Sequence, residues 1–302
     1  MQKNTLKSGI EISELGLGCM SLGTGKKYAT EIIERALELG ITYFDTADIY
    51  DKGINEEIVG EALKPYQDRD DIVIGTKVGN HLKDNGETFW DPSKKYIKES
   101  VKGSLKRLQL DHLDLYQLHG GTIDDPLDET ISAFDELKQE GYVKAYGISS
   151  IRPNVINYYL EHSDIETLMS QFNLIDNRPE SLMDKVHANE VKVLARGPVF
   201  KGLLTEKSND VLDRKFKDGI FDYDYETLGE TIASIKEVDL NLSSLSFSYL
   251  RSFNAMGSII TGASSVEQIK QNVKQYEDLV KADKVLAARN RVKDLEYTNH
   301  LD

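Results

Sequence analysis

Short strand-like apolar runs recur along this chain, each followed by a stretch of helical periodicity, and that alternation leaves few folds open. Eight such runs are predicted, at residues 15–20, 42–46, 72–78, 113–119, 143–149, 168–173, 191–195 and 258–261. The intervening helices carry readable ends. Thr30 is placed to cap the first and Gly40 to stop it. Asn55 is placed to cap the second, with Glu56 and Glu57 in its first turn, where the helix dipole favours anions. Asp125-Pro126 reads as an N-cap and first-turn proline before a helix over 127–140 that Gly141 ends, and Pro153 opens another.

Eight βα units in a chain of 302 residues predict an α/β protein, a (β/α)8 TIM barrel. A doubly wound open sheet is the competing fold. However, Gly16, Gly18 and Gly23 lack the G-x-G-x-x-G spacing of a dinucleotide-binding turn. Residues 4–12 hold Lys7-Ser8-Gly9 between short alternating runs, which predicts an N-terminal β-hairpin over the barrel bottom. Residues 1–302 read as a single domain, since no linker, low-complexity tract or long repeat interrupts them. The irregular stretch is 201–226, polar and without strand periodicity, which reads as a long functional or mobile loop. Helical patterns follow over 225–238 and 242–253.

Composition removes several functions. With 51 acidic against 37 basic side chains the net charge is −14, unsuited to nucleic acid or an anionic membrane surface. One cysteine, Cys19, excludes an intrachain disulfide framework and a two-cysteine zinc site. The histidines show no metal-ligating spacing, so no metal is expected. The start lacks an apolar secretory stretch, and no run is long enough to span a membrane. A cytoplasmic protein is expected.

In a parallel barrel the C-terminal strand ends share one face, and chemistry sits there. Asp45 closes the second run, Lys77 the third and His119 the fourth, while Tyr50 lies five residues past Asp45. Alone, each has an ordinary structural reading: a turn aspartate, a solvated lysine, a hydrogen-bonded histidine. Together at three consecutive strand ends they suit proton donation to a carbonyl oxygen. Free tyrosine titrates near ~10, and a neighbouring ammonium is expected to lower that value. Asp45 would keep Lys77 charged and oriented, and His119 would steer the substrate oxygen towards Tyr50. None of these side chains carries hydride, so a reduction needs a cofactor.

The stretches Phe44-Asp45-Thr46-Ala47-Asp48-Ile49-Tyr50, Gly75-Thr76-Lys77, Asp114-Leu115-Tyr116-Gln117-Leu118-His119, Gly202-Leu203-Leu204-Thr205 and Gly262-Ala263-Ser264 occur in order. In them the chain resembles an aldo-keto reductase. The resemblance implies a (β/α)8 barrel, NADP(H) bound without a Rossmann domain, and a tetrad of Asp45, Tyr50, Lys77 and His119. Asp45 also counts among the cofactor contacts it implies, beside Cys19 and Met20, which act mainly through backbone. Ser149-Ser150 and Gln171 take the carboxamide positions, the second serine standing where the family usually has asparagine. Arg196, Gly197, Pro198 and Val199 follow the seventh strand, where Arg196 would stack on nicotinamide or reach a phosphate. Gly202, Leu203 and Lys207 belong to the loop over the pyrophosphate. Gly262, Ser264, Gln268, Gln271 and Asn272 serve the adenosine end.

Ser265-x-x-Gln268 also reads as a capping box, a complete structural explanation for that segment. The substrate pocket is assigned to Tyr50, His119 and Trp90, the only tryptophan. Phe89 and Tyr28 are further candidates, and Trp90 with Phe89 reads equally as a local apolar cluster. The function expected is reduction of small aldehydes or ketones. The alternatives are a cofactor-binding redox-sensing regulatory subunit and a phosphate-sugar barrel enzyme.

Overall fold

The computed structural model describes residues 1–83 and 85–301. Eight parallel strands close into a barrel. They are β1 (Leu15–Gly18), β2 (Tyr43–Asp45), β3 (Val73–Val78), β4 (Leu113–Leu118), β5 (Val143–Ser149), β6 (Thr167–Gln171), β7 (Lys192–Arg196) and β8 (Met256–Gly262). Each pairs with the next in sequence, and β8 closes on β1.

Strand alternation sorts the side chains into two cores. Tyr43, Val73, Leu115, Ala145, Met169, Leu194 and Ile260 fill the barrel interior. Their neighbours Phe44, Ile74, Tyr116 and Tyr146 face outward into the layer shared with the helices. The barrel bottom is closed by the predicted hairpin, Lys3–Thr5 paired antiparallel with Glu11–Ser13, which sends Leu6 and Ile12 into the interior cluster.

The outer layer consists of α1 (Lys26–Glu38), α2 (Ile54–Leu63), α3 (Lys94–Leu108), α4 (Leu127–Gln139), α5 (Pro153–His162), α6 (Met183–Ala188), α7 (Ser208–Lys215), α8 (Tyr225–Val238), α9 (Leu242–Leu250), α10 (Val266–Glu277) and α11 (Ala282–Arg289). Three predicted caps are not caps: α4 starts after Pro126, so Asp125 lies outside it, its carboxylate accepting instead from Trp90 and Thr122. α1 starts after Gly25, so Thr30 lies inside it. α2 starts after Gly53, and Asn55 is inside it, because its buried amide is already engaged. That amide donates to the Cys19 carbonyl and accepts from the Thr46 hydroxyl, tying α2 to the ends of β1 and β2. The stretch 201–226 is not one long loop. It contains α7 and a bridge between Ile220 and Tyr223, and Leu203, Leu204, Val211, Leu212 and Phe216 are buried along it. An unpredicted antiparallel hairpin, Asn80–Leu82 with Thr88–Trp90, stands on the loop after β3. No helix among the described residues is long and apolar enough to cross a membrane.

Candidate active site

Inward alternation carries the tetrad to the top of the barrel. On β2, Tyr43 points into the interior, Phe44 outward and Asp45 inward again. On β3 the buried Thr76 donates outward to Glu56 of α2, which leaves Lys77 facing in. Register sets Asp45 opposite Gly75, two residues before Lys77. Gly75 has to be small, since a Cβ there would lie 2.6 Å from the Tyr43 hydroxyl. Lys77, 1 % exposed, donates from Nζ to Asp45 Oδ2 and to the Thr46 carbonyl, both at 2.7 Å.

Tyr50 comes from the loop after β2. Asp51, Lys52 and Gly53 follow it with φ of 47°, 57° and 91°, a left-handed run that turns the chain sharply into α2. This places the Tyr50 ring 5.3 Å from Lys77 Nζ and edge-on to His119, with ring centroids 5.9 Å apart. The four residues read from sequence therefore meet at one point.

Their ionisation follows from burial. Desolvation opposes the Lys77 cation, but Asp45 and Tyr50 outweigh it and hold the ammonium above its ordinary value. Burial pushes the Asp45 carboxyl up against the pull of Lys77, and the 2.7 Å contact keeps the two as an ion pair. Burial also raises the Tyr50 hydroxyl. This corrects the sequence expectation: Lys77 does pull that hydroxyl down, yet desolvation, reinforced by Asp45, wins. His119 falls to about 3, through burial first and then the Lys77 and Arg196 cations. Its Nδ1 is buried without a partner. The imidazole is thus neutral, able to donate an N–H but not to serve as a strong acid.

A cavity of about 630 Å³ opens above these residues. Eight of its lining residues are among the predicted ones: Met20, Tyr50, Lys77, Trp90, His119, Ser149, Ser150 and Arg196. Trp90 donates from Nε1 to Asp125 Oδ2 at 2.9 Å and is a wall of this cavity. Phe89 instead stacks on His81, which is held between it and Tyr96. Tyr28 is exposed on α1 and is not part of the lining.

The remaining cofactor candidates run along the ends of β6, β7, β8 and β1. Register pairs Gln171 with Arg196 and Gly262 with Gly18. Gln171 donates from Nε2 to Asp176, which leaves its Oε1 with no described partner. Met20 is 64 % exposed, whereas the Cys19 thiol is fully buried and burial pushes it up, so Cys19 offers only backbone to a ligand. The Pro198 carbonyl accepts from Ser246, Val199 is half-buried, Gly197 is exposed, and the Leu203 side chain is in the core. Gly202 has φ 95°, and exposed Lys207 precedes α7.

At α10, Ser265 accepts from the Gln268 amide, and Gln268 Oε1 takes both the amide and the hydroxyl of Ser264. Half of the capping box is therefore formed, since Gln268 Oε1 takes Ser264 rather than the Ser265 amide, and it occupies donors assigned to a phosphate. Asn272 donates to the Gly262 carbonyl, and Gln271 is exposed. An exposed guanidinium, an unengaged glutamine oxygen and an orphaned imidazole nitrogen beside one cavity fit the polar edge of a nicotinamide. No group of residues suited to a metal occurs among the described residues.

Sequence reasoning missed Gly120, Gly121, Thr122, Ile151, Arg152 and Met169 in the cavity wall. All but Met169 lie past strand ends, in the loops after β4 and β5, where periodicity carries no signal.

The sequence matches the model for the aldo/keto reductase family over residues 14–292. It is 52% identical over 278 residues to the uncharacterised oxidoreductase YqkF of Bacillus subtilis strain 168, covering 90% of each chain. It is 26% identical over 293 residues to the NADH-specific methylglyoxal reductase of Escherichia coli K12, covering 87% of this chain and 90% of that protein. Among solved structures, aldo-keto reductase AKR11C1 from Bacillus halodurans in its holo form is 45% identical, with a TM-score of 0.92 and 100% of both chains covered.

Proposed function

Because the chain belongs to the aldo/keto reductase family, we propose that it is an NADP(H)-dependent reductase of small aldehyde or ketone carbonyls, with Tyr50 as the general acid. The observation that carries this reading is the convergence of Tyr50, the Lys77–Asp45 pair and His119 beneath one open cavity. A bound reduced nicotinamide supplies the hydride.

The remaining steps belong to this chain. A carbonyl oxygen beside Tyr50 and His119 gains negative charge as its carbon is reduced. The neutral His119 donates a hydrogen bond to that oxygen and holds its direction. The Tyr50 hydroxyl gives up its proton to it, completing the alcohol. The phenolate left behind is stabilised by the Lys77 ammonium, which Asp45 and the Thr46 carbonyl hold in place. The raised Tyr50 keeps its proton at neutral pH, so the acid is loaded before each turnover.

Cofactor contacts are assigned to Met20, Ser149, Ser150, Gln171 and Arg196 at the nicotinamide. The loop carrying Lys207 is assigned to the pyrophosphate, and the start of α10 to the adenosine end. Preference for NADP(H) rests on the amide and hydroxyl donors of Ser265 at a helix N-terminus, which favours an anion, since those of Ser264 are engaged by Gln268. The test is steady-state reduction of a panel of aldehydes and ketones with NADPH and with NADH, in wild type and in Tyr50→Phe. NADPH-dependent turnover is expected. In Tyr50→Phe it drops by about 10²–10⁴-fold, the usual worth of general acid catalysis, while cofactor binding stays within a few-fold. Near-wild-type turnover in that variant would remove Tyr50 from the acid role.

A further inference from the structure

We propose that the cavity contains an anion subsite built on Arg152, so that the favoured substrates are short carbonyl compounds carrying a carboxylate or phosphate. This rests on the reductase reading above and names the substrate class for the same cavity. The chain has ten arginines, seven of which form ion pairs. Of the three that form none among the described residues, two, Arg152 and Arg196, line this one cavity. Lys77 is its third cation, but Asp45 already neutralises it at 2.7 Å. No described carboxylate lines the wall, although the whole chain carries −14. An anionic protein that keeps unpaired guanidinium groups in one concavity holds them for an anionic ligand.

The two arginines stand on different sides. Arg196 ends β7 beside Gln171, within the strand ends assigned to the cofactor. Arg152 follows β5, and its guanidinium donates to the Gly121 carbonyl, across to the loop that starts at His119. That bond uses one donor of five and leaves the rest for a ligand. The amides of Gly120 and Gly121 donate to no described acceptor and lie in the same wall. The nearby Asp125 keeps its charge but forms no ion pair with Arg152; its carboxylate accepts instead from Trp90, from the Thr122 amide and from the Thr122 hydroxyl. Gly121 is two residues from His119, so their Cα atoms are at most ~7 Å apart. An anion held by Arg152 therefore sits a few carbons from a carbonyl held by His119.

The experiment uses matched substrates that differ in the anionic group: 4-oxobutanoate against butanal, and glyceraldehyde 3-phosphate against glyceraldehyde. Wild type is expected to favour the anionic member of at least one pair by about tenfold or more in kcat/KM, as a charge-assisted bond implies. In Arg152→Gln, which retains a donor for Gly121, that ratio falls towards one, and Arg152→Lys lies between. General damage to the fold lowers both members together and leaves the ratio intact. Succinate and inorganic phosphate, titrated at constant ionic strength, provide a readout without turnover, since Trp90 is the only tryptophan and lines the cavity. A saturable fluorescence change in wild type, lost in Arg152→Gln, supports the subsite, and the two anions show which group it takes. Equal turnover within both pairs together with no saturable response, or a preference that survives in Arg152→Gln, overturns it. If wild type reduces none of the carbonyls, the reductase reading fails, while the anion titration still decides the subsite.

Discussion

His119 and Tyr50 titrate on opposite sides of the neutral range, and burial is the first cause of both shifts. A histidine at about 3 is neutral at every pH above that value, and a raised tyrosine is protonated throughout neutrality. The proposed reduction needs both in those forms. It is therefore lost on the acid side only as pH falls towards about 3, and on the alkaline side only as pH rises through the raised Tyr50 value. The expected kcat/KM profile for reduction is level from about pH 5 to 9. An inflection near ~6.5, the ordinary value for histidine, would contradict the neutral buried imidazole. Lys77→Met removes the cation that pulls Tyr50 down, so the alkaline limb moves to still higher pH as the rate falls. The same change strands the Asp45 carboxylate in the interior, which costs about 3–5 kcal/mol for a broken buried pair. Denaturant unfolding is expected to show that loss in Lys77→Met and to recover most of it in Lys77→Met/Asp45→Asn.

Gly60 inside α2 separates propensity from packing. Alanine in a helix interior is usually better than glycine by about 1 kcal/mol. Here a Cβ would lie 2.5 Å from the Leu108 carbonyl oxygen at the end of α3, a backbone atom that cannot swing aside. Gly60→Ala is therefore expected to destabilise by about 1–3 kcal/mol, and a gain in melting temperature would refute the close approach. At α10 the expectation concerns ligand choice. Gln268→Arg removes the amide oxygen that holds Ser264 and adds a cation, so it should tighten NADPH by about tenfold or more and leave NADH nearly unchanged. Paired dissociation constants at one ionic strength check this; equal tightening of both would leave the helix start as a cap only.

These elements also show what the sequence makes legible. Strand positions were readable because a buried parallel strand is a short apolar run between turns. The Asn55 cap failed because a side chain at a helix start can serve tertiary partners, here Cys19 and Thr46. The hairpin carrying Trp90 escaped because three-residue strands are too short to show alternation. The tetrad was readable because its members sit at or just past strand ends within motifs, whereas Arg152 lies in a loop that neither period reaches.

The two ends of the barrel divide the work of the molecule. Ile12 of the hairpin is fully buried at the bottom, far along the strands from the tetrad. Ile12→Ala is expected to cost about 2–5 kcal/mol in stability and to leave kcat/KM at 25 °C within about twofold, because the C-terminal face holds the chemistry. Thermal unfolding beside kinetics checks the separation, and a large fall in kcat/KM with unchanged stability would contradict it. The floor has one more consequence. Between the hairpin and Lys77 the interior is packed with side chains, mostly apolar, with Leu6 and Ile12 at its base and the Tyr43 hydroxyl and the Thr167–Gln117 bond among its buried polar contacts, so the floor is closed. A ligand covering Tyr50 at the mouth therefore stands between it and bulk water. On the proposed mechanism, the proton given up in one catalytic cycle returns after the alcohol has left, which ties recharging of the acid to product release.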